Sequence, residues 1–315
     1  MLEASLAFLA RHARWAMPLG LVAGLVWPAL AAALKPVLAP SVVLLLLVSM
    51  LRVAPESIGA AFGRLALLGT TWLWALVVCP VLAYAAAALL ALPGDLAAAL
   101  TVSAAAPPLL FGAMFATVTG LNGGLALVGV IGGTLAAALT IPLLAAAIGL
   151  DLGSVSTLAF LLRSVAVVAG TAALAFAIRR MAGTARMDAH KTTFEGIGVV
   201  LMIVFAIAVM DGIAALAFAD PGRLAGFVLA AFALNLTLQA ATAGLFWRAG
   251  ATTGATLAIV AGFRNNGLLL AILPPPVPPE IVLFVAAAQF PIYIVPSLAW
   301  SLYAKAASID GTAKA

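Results

Sequence analysis

The sequence predicts an all-α polytopic membrane protein with ten transmembrane helices, arranged as two inverted five-helix repeats. Of its 315 residues, 66% are hydrophobic and 8% are charged, a composition that excludes a soluble domain. Long uncharged runs recur along the chain, and most basic residues fall in alternate loops. The single cysteine, Cys79, excludes an internal disulfide framework, and no Cys/His cluster of metal-binding type is present. The net charge of +5 is spread over short loops, so nothing supports binding to nucleic acid.

The first repeat, residues 1–152, is predicted to contain five spans. The first uncharged run, 15–34, is more typical of a span than of the apolar region of a signal peptide, which is the minor alternative. Spans at 35–52 and 64–95 follow. The uncharged run 96–150 is too long for one crossing, so we divide it into two helices at the turn 119–124. Pro107 and Pro108 break the fourth helix inside the membrane, because proline removes backbone donors.

The second repeat, residues 153–315, is predicted to span the membrane at 153–178, 196–219, 224–247, 249–279 and 281–302. Its fourth span, the ninth overall, is interrupted at 261–267. Here Arg264, Asn265 and Asn266 lie between glycines about midway across the apolar run. Charged and carboxamide side chains at this depth are costly unless they face a cavity or a partner, so they indicate a ligand path.

The charges of the loops predict the orientation. With ten spans, eleven cations fall on one side of the membrane: Arg11, Arg14, Arg52, Arg64, Arg179, Arg180, Arg186, Lys191, Arg248, Lys305 and Lys314. The other side has Lys35 and Arg223 beside four acidic residues. This asymmetry puts both termini of a multi-pass inner (cytoplasmic) membrane protein in the cytoplasm. Two inverted halves, each with its fourth helix interrupted, are typical of a transporter with its site near the midplane.

Short motifs at the two interruptions resemble a known family. Residues 106–112 (APPLLFG) and 122–127 (NGGLAL) resemble the fourth helix of bile acid:sodium symporter family proteins, and 262–268 (GFRNNGL) is similar to their ninth helix. The resemblance implies a core domain of helices 3 to 5 and 8 to 10, in which the two broken helices cross. It also implies a panel domain of helices 1, 2, 6 and 7, and alternating access by motion of one domain against the other.

The sequence departs from this family at the positions that bind sodium. The family's ninth-helix glutamate and glutamine correspond to Val260 and Arg264, and its fourth-helix Ser-Asn pair corresponds to Ala113 and Met114. Apolar side chains offer no hard oxygen ligand, and a guanidinium repels sodium. We therefore expect the family's architecture without its sodium sites, with the permanent charge of Arg264 complementing an anionic substrate.

A structural role for Arg264 is the alternative, through an intramembrane salt bridge. Asp211 is the one acidic residue well inside a predicted span, and Arg163 is better placed than Arg264 to pair with it. Both are about 12 to 16 Å deep at roughly 1.5 Å per residue. We therefore predict a structural Arg163–Asp211 pair, which leaves Arg264 without a carboxylate. Backbone carbonyls freed by the break could still satisfy its guanidinium.

Other polar residues complete the predicted substrate site, which comprises Arg264, Asn265, Asn266, Asn235, Gln239, Pro107 and Pro108. On the eighth helix, Asn235, Gln239 and Thr242 follow at i, i+4 and i+7 and share one face. They either line the cavity beside Arg264 or hydrogen-bond to helices 3 and 9. Of the two asparagines, one is expected to cap the broken backbone and the other to face substrate.

The function predicted is secondary transport of a small organic anion. An efflux permease of the related auxin-carrier type, driven by protons or membrane potential, is the runner-up, and a transport-inactive sensor or scaffold is a further alternative. An enzyme is not expected, because both histidines are in loops and no Ser/His, Asp/Asp or HExxH arrangement falls within a span. The predicted partners are an organic anion and the lipid bilayer. No cofactor or metal is predicted, and the oligomeric state stays open.

Overall fold

A computed structural model describes residues 2–52, 55–109, 111–147, 157–273 and 277–312, and within these ranges every regular element is a helix. The first nine segments are α1 (Leu2–Arg11), α2 (Ala13–Val26), α3 (Pro28–Leu34), α4 (Leu38–Arg52), α5 (Pro55–Phe62), α6 (Leu65–Leu73), α7 (Cys79–Leu89), α8 (Gly94–Ala105) and α9 (Phe111–Val118). The others are α10 (Gly123–Ala147), α11 (Thr157–Ala182), α12 (Thr184–Ala189), α13 (Lys191–Val209), α14 (Ile213–Ala219), α15 (Pro221–Leu245), α16 (Ala251–Gly262), α17 (Asn266–Ile272) and α18 (Pro279–Thr312).

Seven helical stretches in the described ranges are long and apolar enough to cross a membrane: Pro28–Leu51, Leu65–Leu89, Gly123–Leu144, Val165–Ala182, Lys191–Val209, Pro221–Leu245 and Pro279–Ile309. Two shorter apolar helices, α8 and α16, each lead into one of the predicted breaks. The prediction of an all-helical, multi-pass membrane protein is thereby confirmed. The predicted boundary between the two repeats, at 152 and 153, lies outside the described residues.

The predicted first span, 15–34, is divided in the structure. Helix α2 ends at Val26, and α3 begins at Pro28. Proline suits the first position of a helix because its missing N–H would have no partner there, and it disfavours helical geometry in the residue before it. Trp27 accordingly adopts φ −123° and ψ 75°. The helix is therefore interrupted at Trp27, inside the uncharged run.

The helices pack in two sets of neighbours. Helix α13 contacts α1, α2, α3 and α4, and α11 packs on α4. Helix α15 contacts α16 and α18, while α18 also packs on α8 and α16, α7 on α8, and α10 on α9 and α16. The two sets meet where α10 contacts α11 and where α18 contacts α2. We call them the α13 set and the α18 set.

A glycine-lined groove on α10 explains part of the small-residue content of the chain. The indole of Trp72 occupies the position that a side chain at Gly132 would need, and its Nε1 donates to the carbonyl of Gly129 at 2.8 Å. A Cβ added at Gly133 would lie 2.7 Å from Cγ of Pro108. Small residues let membrane helices approach closely. Here the glycines of α10 leave room for Pro108, at the break between α8 and α9.

The two ends of the bundle differ in charge. At one end, Arg179 donates to the carbonyl of Leu51 at 2.7 Å and Arg64 donates to Thr253 at 3.3 Å. We call this the basic end, because it also carries Lys191, Arg248 and Lys305. At the opposite end, the ion-pair end, Arg223 pairs with Asp95 at 2.8 Å and Lys35 pairs with Asp211 at 2.7 Å.

Asp211 pairs with Lys35 in the structure. Asp211 lies in the turn after α13, and that helix packs against α1 to α4. Arg163 is in α11, whose described neighbours include α4 and α10. Its side chain lies outside the described residues, so the pairing of Arg163 with Asp211 stays a prediction.

Candidate binding site at the helix breaks

The two broken helices meet at their breaks. Between α8 and α9, Leu109 donates its N–H to the carbonyl of Phe263 at 2.8 Å, and the N–H of Asn265, between α16 and α17, donates to the carbonyl of Pro107 at 2.7 Å. Pro108 and Arg264 thus form an isolated antiparallel bridge. Backbone groups that leave a helix inside a bilayer need protein partners. Pro107 and Pro108 accordingly have a structural role here, because they create and join the crossing.

Two glycines let neighbouring helices approach the crossing. A side chain at Gly262 would overlap Gln239 of α15. A Cβ at Gly267 would lie 2.6 Å from Cζ of Phe205 in α13. The glycines that flank the break therefore serve close packing at these two points.

Arg264 is buried at the centre of the crossing, with 3% of its surface exposed. Its Nη2 donates to the carbonyl of Ala75 at 2.8 Å, and its Nη1 donates to the carbonyl of Ala106 at 3.3 Å. Its Nε has no hydrogen-bond partner among the described residues. The guanidinium therefore keeps at least one donor that no described protein group uses.

The carbonyl of Ala75 is available because of a local irregularity between α6 and α7. Residues 74–78 form a π-turn, in which Cys79 donates its N–H to Trp74 instead of Ala75. The next position, Pro80, has no N–H to donate. Such π-turns inside α-helices often mark functional positions. Pro80, inside an apolar span, was the signal in the sequence for a free carbonyl at Ala75. It was not identified from the sequence.

Arg264 has no carboxylate partner among the side chains that the structure describes. The ion pairs identified there include Lys35–Asp211, Arg223–Asp95 and the wider contact between His190 and Glu3, none of which involves Arg264. Among the described residues, the guanidinium donates to backbone carbonyls, one of the possibilities given in the sequence analysis. These carbonyl dipoles therefore solvate part of its charge.

The two asparagines after Arg264 have different roles. The side chain of Asn265 accepts from the N–H of Leu268 at 2.9 Å and caps α17. Asn266 accepts a hydrogen bond from the hydroxyl of Ser103 in α8 at 2.9 Å. Asn265 is thus the expected capping residue, while Asn266 ties the two broken helices together. Ser103 was not identified from the sequence.

The polar stripe on α15 forms a buried hydrogen-bond chain. Tyr303 donates to Gln239, Gln239 donates to Asn235 at 2.5 Å, and Asn235 donates to the carbonyl of Gly262 at 3.1 Å. Thr242 accepts from the indole of Trp74 at 2.9 Å. The stripe therefore forms hydrogen bonds between helices, which is one of the two interpretations given above. Asn235 also lines a cavity beside Arg264.

Three cavities lie at or near the crossing. The inner cavity is small, about 30 Å³, and is lined by Val42, Leu45, Leu109, Phe111, Met202, Phe205, Arg264, Asn265, Asn266, Gly267, Gln289, Ile292 and Tyr293. The rear cavity, of about 10 Å³, is lined by Ser103, Ala231, Leu234, Asn235, Gly262, Arg264, Asn266, Phe284, Ala288, Pro291 and Ile292. Arg264 and Asn266 face both cavities, whereas Gln239, Pro107 and Pro108 line neither.

The third cavity is the largest of these three, about 430 Å³, and opens between the α13 set and the α18 set on the side of the basic end. It is lined by Ala10, Arg11, His12, Ala13, Trp15, Phe111, Met114, Phe115, Val118, Thr192, Glu195, Pro296 and Trp300. We call it the basic-end cavity.

Of the four residues that the sequence analysis aligned with the sodium-binding positions of the symporter family, three are apolar and the fourth is Arg264. Ala113 and Val260 are fully buried, and Met114 lines the basic-end cavity. No group of three or more His, Cys, Asp or Glu side chains that could hold a metal ion is found in the described part of the chain.

No protein-family model and no curated protein matches the chain. Its function is therefore argued from the fold and from the geometry of the helix crossing. The fold defines the class, an all-helical polytopic membrane protein with a buried polar crossing at its centre.

Proposed function

We propose that this protein is a secondary transporter that moves a small organic anion across the cytoplasmic membrane by alternating access. One observation carries the proposal: Arg264 is buried beside two cavities, bonded to backbone carbonyls and without a described carboxylate partner. A permanent charge placed in this way is expensive to maintain. A substrate anion would compensate it each time the site is occupied.

The chemistry of the guanidinium favours a carboxylate as the recognised group. Arginine presents its donors in a planar fork, and a carboxylate can accept from two of them at once. One hydrogen bond each from Nη1 and Nη2 goes to the protein, while Nε lacks a partner. Attraction between opposite charges is much stronger in a poorly solvated interior than in water. Apolar walls with few polar groups are also typical of small-molecule sites.

Alternating access would use the two packing sets as its moving parts. In this proposal the spans are ten: α1–α2, α3–α4, α6–α7, α8–α9, α10, α11, α13–α14, α15, α16–α17 and α18. The α13 set corresponds to the predicted panel of helices 1, 2, 6 and 7, and the α18 set to the core of helices 3 to 5 and 8 to 10. Each ion pair at the ion-pair end lies within one set, so neither pair ties the sets together.

The contacts between the sets suggest which barrier would have to open. Tyr293 of α18 donates to the carbonyl of Met202 in α13 at 2.9 Å, and Gly267 of α17 packs against Phe205 of α13. The basic-end cavity separates the same sets on the other side of the crossing. We infer a carrier open toward the basic end, which excess positive charge assigns to the cytoplasm together with both termini.

We further propose that transport does not depend on sodium. This rests on the apolar side chains at Ala113, Met114 and Val260 and on the guanidinium of Arg264. A bound sodium ion near the guanidinium would be repelled, most strongly where solvent screening is weak.

Uptake into proteoliposomes tests the proposed function. Radiolabelled carboxylates of graded size are offered with sodium chloride or with choline chloride, and with or without an imposed membrane potential. We expect equal, saturable uptake in both salts, with loss of at least ten-fold in Arg264→Gln and none in Arg248→Gln, an exposed arginine of the basic end. Uptake that requires sodium would contradict the sodium-independent mechanism, and uptake unaffected by Arg264→Gln would contradict the site.

A further inference from the structure

We propose that the ring of Phe111 is the constriction between the basic-end cavity and the inner cavity, and that it sets the size of the anion that reaches Arg264. The proposal rests on the proposed function in taking Arg264 as the anion site. It adds the route to that site and the residue that limits it.

The position of Phe111 between the two cavities supports this role. Among the residues that the structure describes, Phe111 is the one residue that lines both cavities. It is 6% exposed. A solute that moves from the wider cavity toward Arg264 would therefore meet this ring first.

The local structure holds Phe111 at the edge of the crossing. It is the first residue of α9, two residues beyond Leu109, whose N–H bonds to Phe263 next to Arg264. The N–H of Gly112 donates back to the carbonyl of Leu109 at 2.9 Å. The backbone at the start of α9 is thereby tied to the backbone that carries Arg264.

The aromatic neighbours of Phe111 form a platform on one side only. Phe115 stacks with Phe111 at 5.9 Å and is itself surrounded by Phe263, Trp300 and Tyr303, with ring centroids 5.3 to 6.2 Å away. Phe111 has Phe115 as its one described aromatic contact. The packing therefore fixes Phe115 and leaves Phe111 as the ring with more freedom to turn aside, on the timescale of side-chain motion.

The chemistry of the route indicates an amphipathic anion. Arg11 and His12 line the basic-end cavity together with Phe115 and Trp300. Beyond Phe111, the inner cavity combines the Arg264 guanidinium with Val42, Met202 and Ile292. A flat apolar body with one carboxylate would have apolar contacts along the whole route and a single charged end at Arg264.

Cysteine accessibility tests the constriction without any substrate. Cys79 is the sole cysteine of the chain, so Cys79→Ser gives a cysteine-free background. Met202→Cys reports on the inner cavity, and Met114→Cys reports on the basic-end cavity. Each is treated, as detergent-purified full-length protein, with a small sulfonated thiosulfonate reagent. Each is prepared with Phe111 intact, with Phe111→Ala, and with Phe111→Trp.

We expect Met114→Cys to react at the same rate in all three backgrounds. The reaction of Met202→Cys should be at least ten-fold faster with Phe111→Ala and slower with Phe111→Trp. Phe227→Ala serves as the matched control, because Phe227 is a buried phenylalanine of α15 that lines none of the three cavities. It should leave the rate unchanged. Equal rates for Met202→Cys with Phe111 and Phe111→Ala, or equal acceleration by Phe227→Ala, would overturn the proposal.

A cationic reagent of the same size separates this proposal from the proposed function. With Phe111→Ala, the sulfonated reagent should outpace the cationic one at Met202→Cys, and Arg264→Gln should remove that preference. If Phe111→Ala accelerates both reagents equally, the constriction stands and the anion site at Arg264 fails.

Discussion

The guanidinium of Arg264 donates to the carbonyl of Ala75 at 2.8 Å, and no helical N–H is placed to compete for that oxygen. The π-turn of residues 74–78 diverts the N–H of Cys79, and Pro80 offers none. An irregularity in one helix thus positions the charge at the break of another. This relationship explains how an arginine can be buried in a membrane bundle without a carboxylate.

The first prediction concerns Pro80. In Pro80→Ala a new N–H can compete for the carbonyls of this turn, including that of Ala75, so Arg264 should lose a fixed acceptor. We expect anion affinity, measured by ligand-dependent thermal stabilisation, to fall about ten-fold, which corresponds to about 1.4 kcal/mol. Pro142→Ala is the control, because Pro142 lies inside α10 and lines none of the three cavities. Equal loss of affinity in both variants would show a general effect of removing a proline.

The second prediction concerns the close approach at Gly262. A methyl group there would overlap Gln239, and overpacking of this kind typically costs about 1 to 3 kcal/mol. We expect a lower midpoint of thermal unfolding for Gly262→Ala, and partial recovery when it is combined with Gln239→Ala. Gly226→Ala provides the comparison, because no atom lies within 4 Å of its added Cβ; it should not lower the midpoint.

The third prediction concerns the hydrogen-bond chain on α15. Asn235→Leu removes the donor to Gly262 and the acceptor of Gln239. Leaving buried polar groups without partners costs about 1 to 3 kcal/mol, so thermal stability should fall. Thr237→Leu, an exposed position on the same helix, should leave stability nearly unchanged. Similar unfolding midpoints for the two variants would show that the chain contributes little.

The fourth prediction concerns the Lys35–Asp211 pair. Because Lys35 is largely exposed, its coupling to Asp211 should be about 0.2 to 1 kcal/mol, as for other exposed pairs. A double-mutant cycle of Lys35→Ala and Asp211→Ala, read by unfolding in detergent, measures this coupling. The parallel cycle of Arg163→Ala with Asp211→Ala should give a coupling near zero. A larger coupling in the second cycle would contradict this expectation and support the pair predicted from sequence.

The sequence predicted the polar breaks because their signals are local. Proline removes hydrogen bonds wherever it stands, and the glycines around Arg264 mark a departure from the helix in an apolar run. Helical periodicity likewise placed Asn235, Gln239 and Thr242 on one face. The structure adds that Asn265 caps α17 and that the two breaks bond to each other.

The sequence could not show which helices lie side by side in the structure. The contact between Asp211 and Lys35 depends on which helices pack side by side, and the depth of a residue in the membrane does not show this. The roles of Ser103, Tyr303 and Phe111 likewise depend on contacts between helices far apart in the chain. The division at Trp27 was predictable in principle from Pro28, but the uncharged run continued through it and favoured a single span.

Ligand-dependent thermal unfolding tests most directly whether Arg264 binds an organic anion without sodium. The detergent-purified protein is heated with carboxylates graded from benzoate to cholate, in sodium chloride and in choline chloride. A ligand at 100 times its Kd stabilises by about 2.7 kcal/mol. We predict that at least one acid raises the unfolding midpoint equally in both salts, and that the effect is lost in Arg264→Gln and kept in Arg248→Gln. Stabilisation that appears only with sodium, or that persists in Arg264→Gln, would contradict the claim.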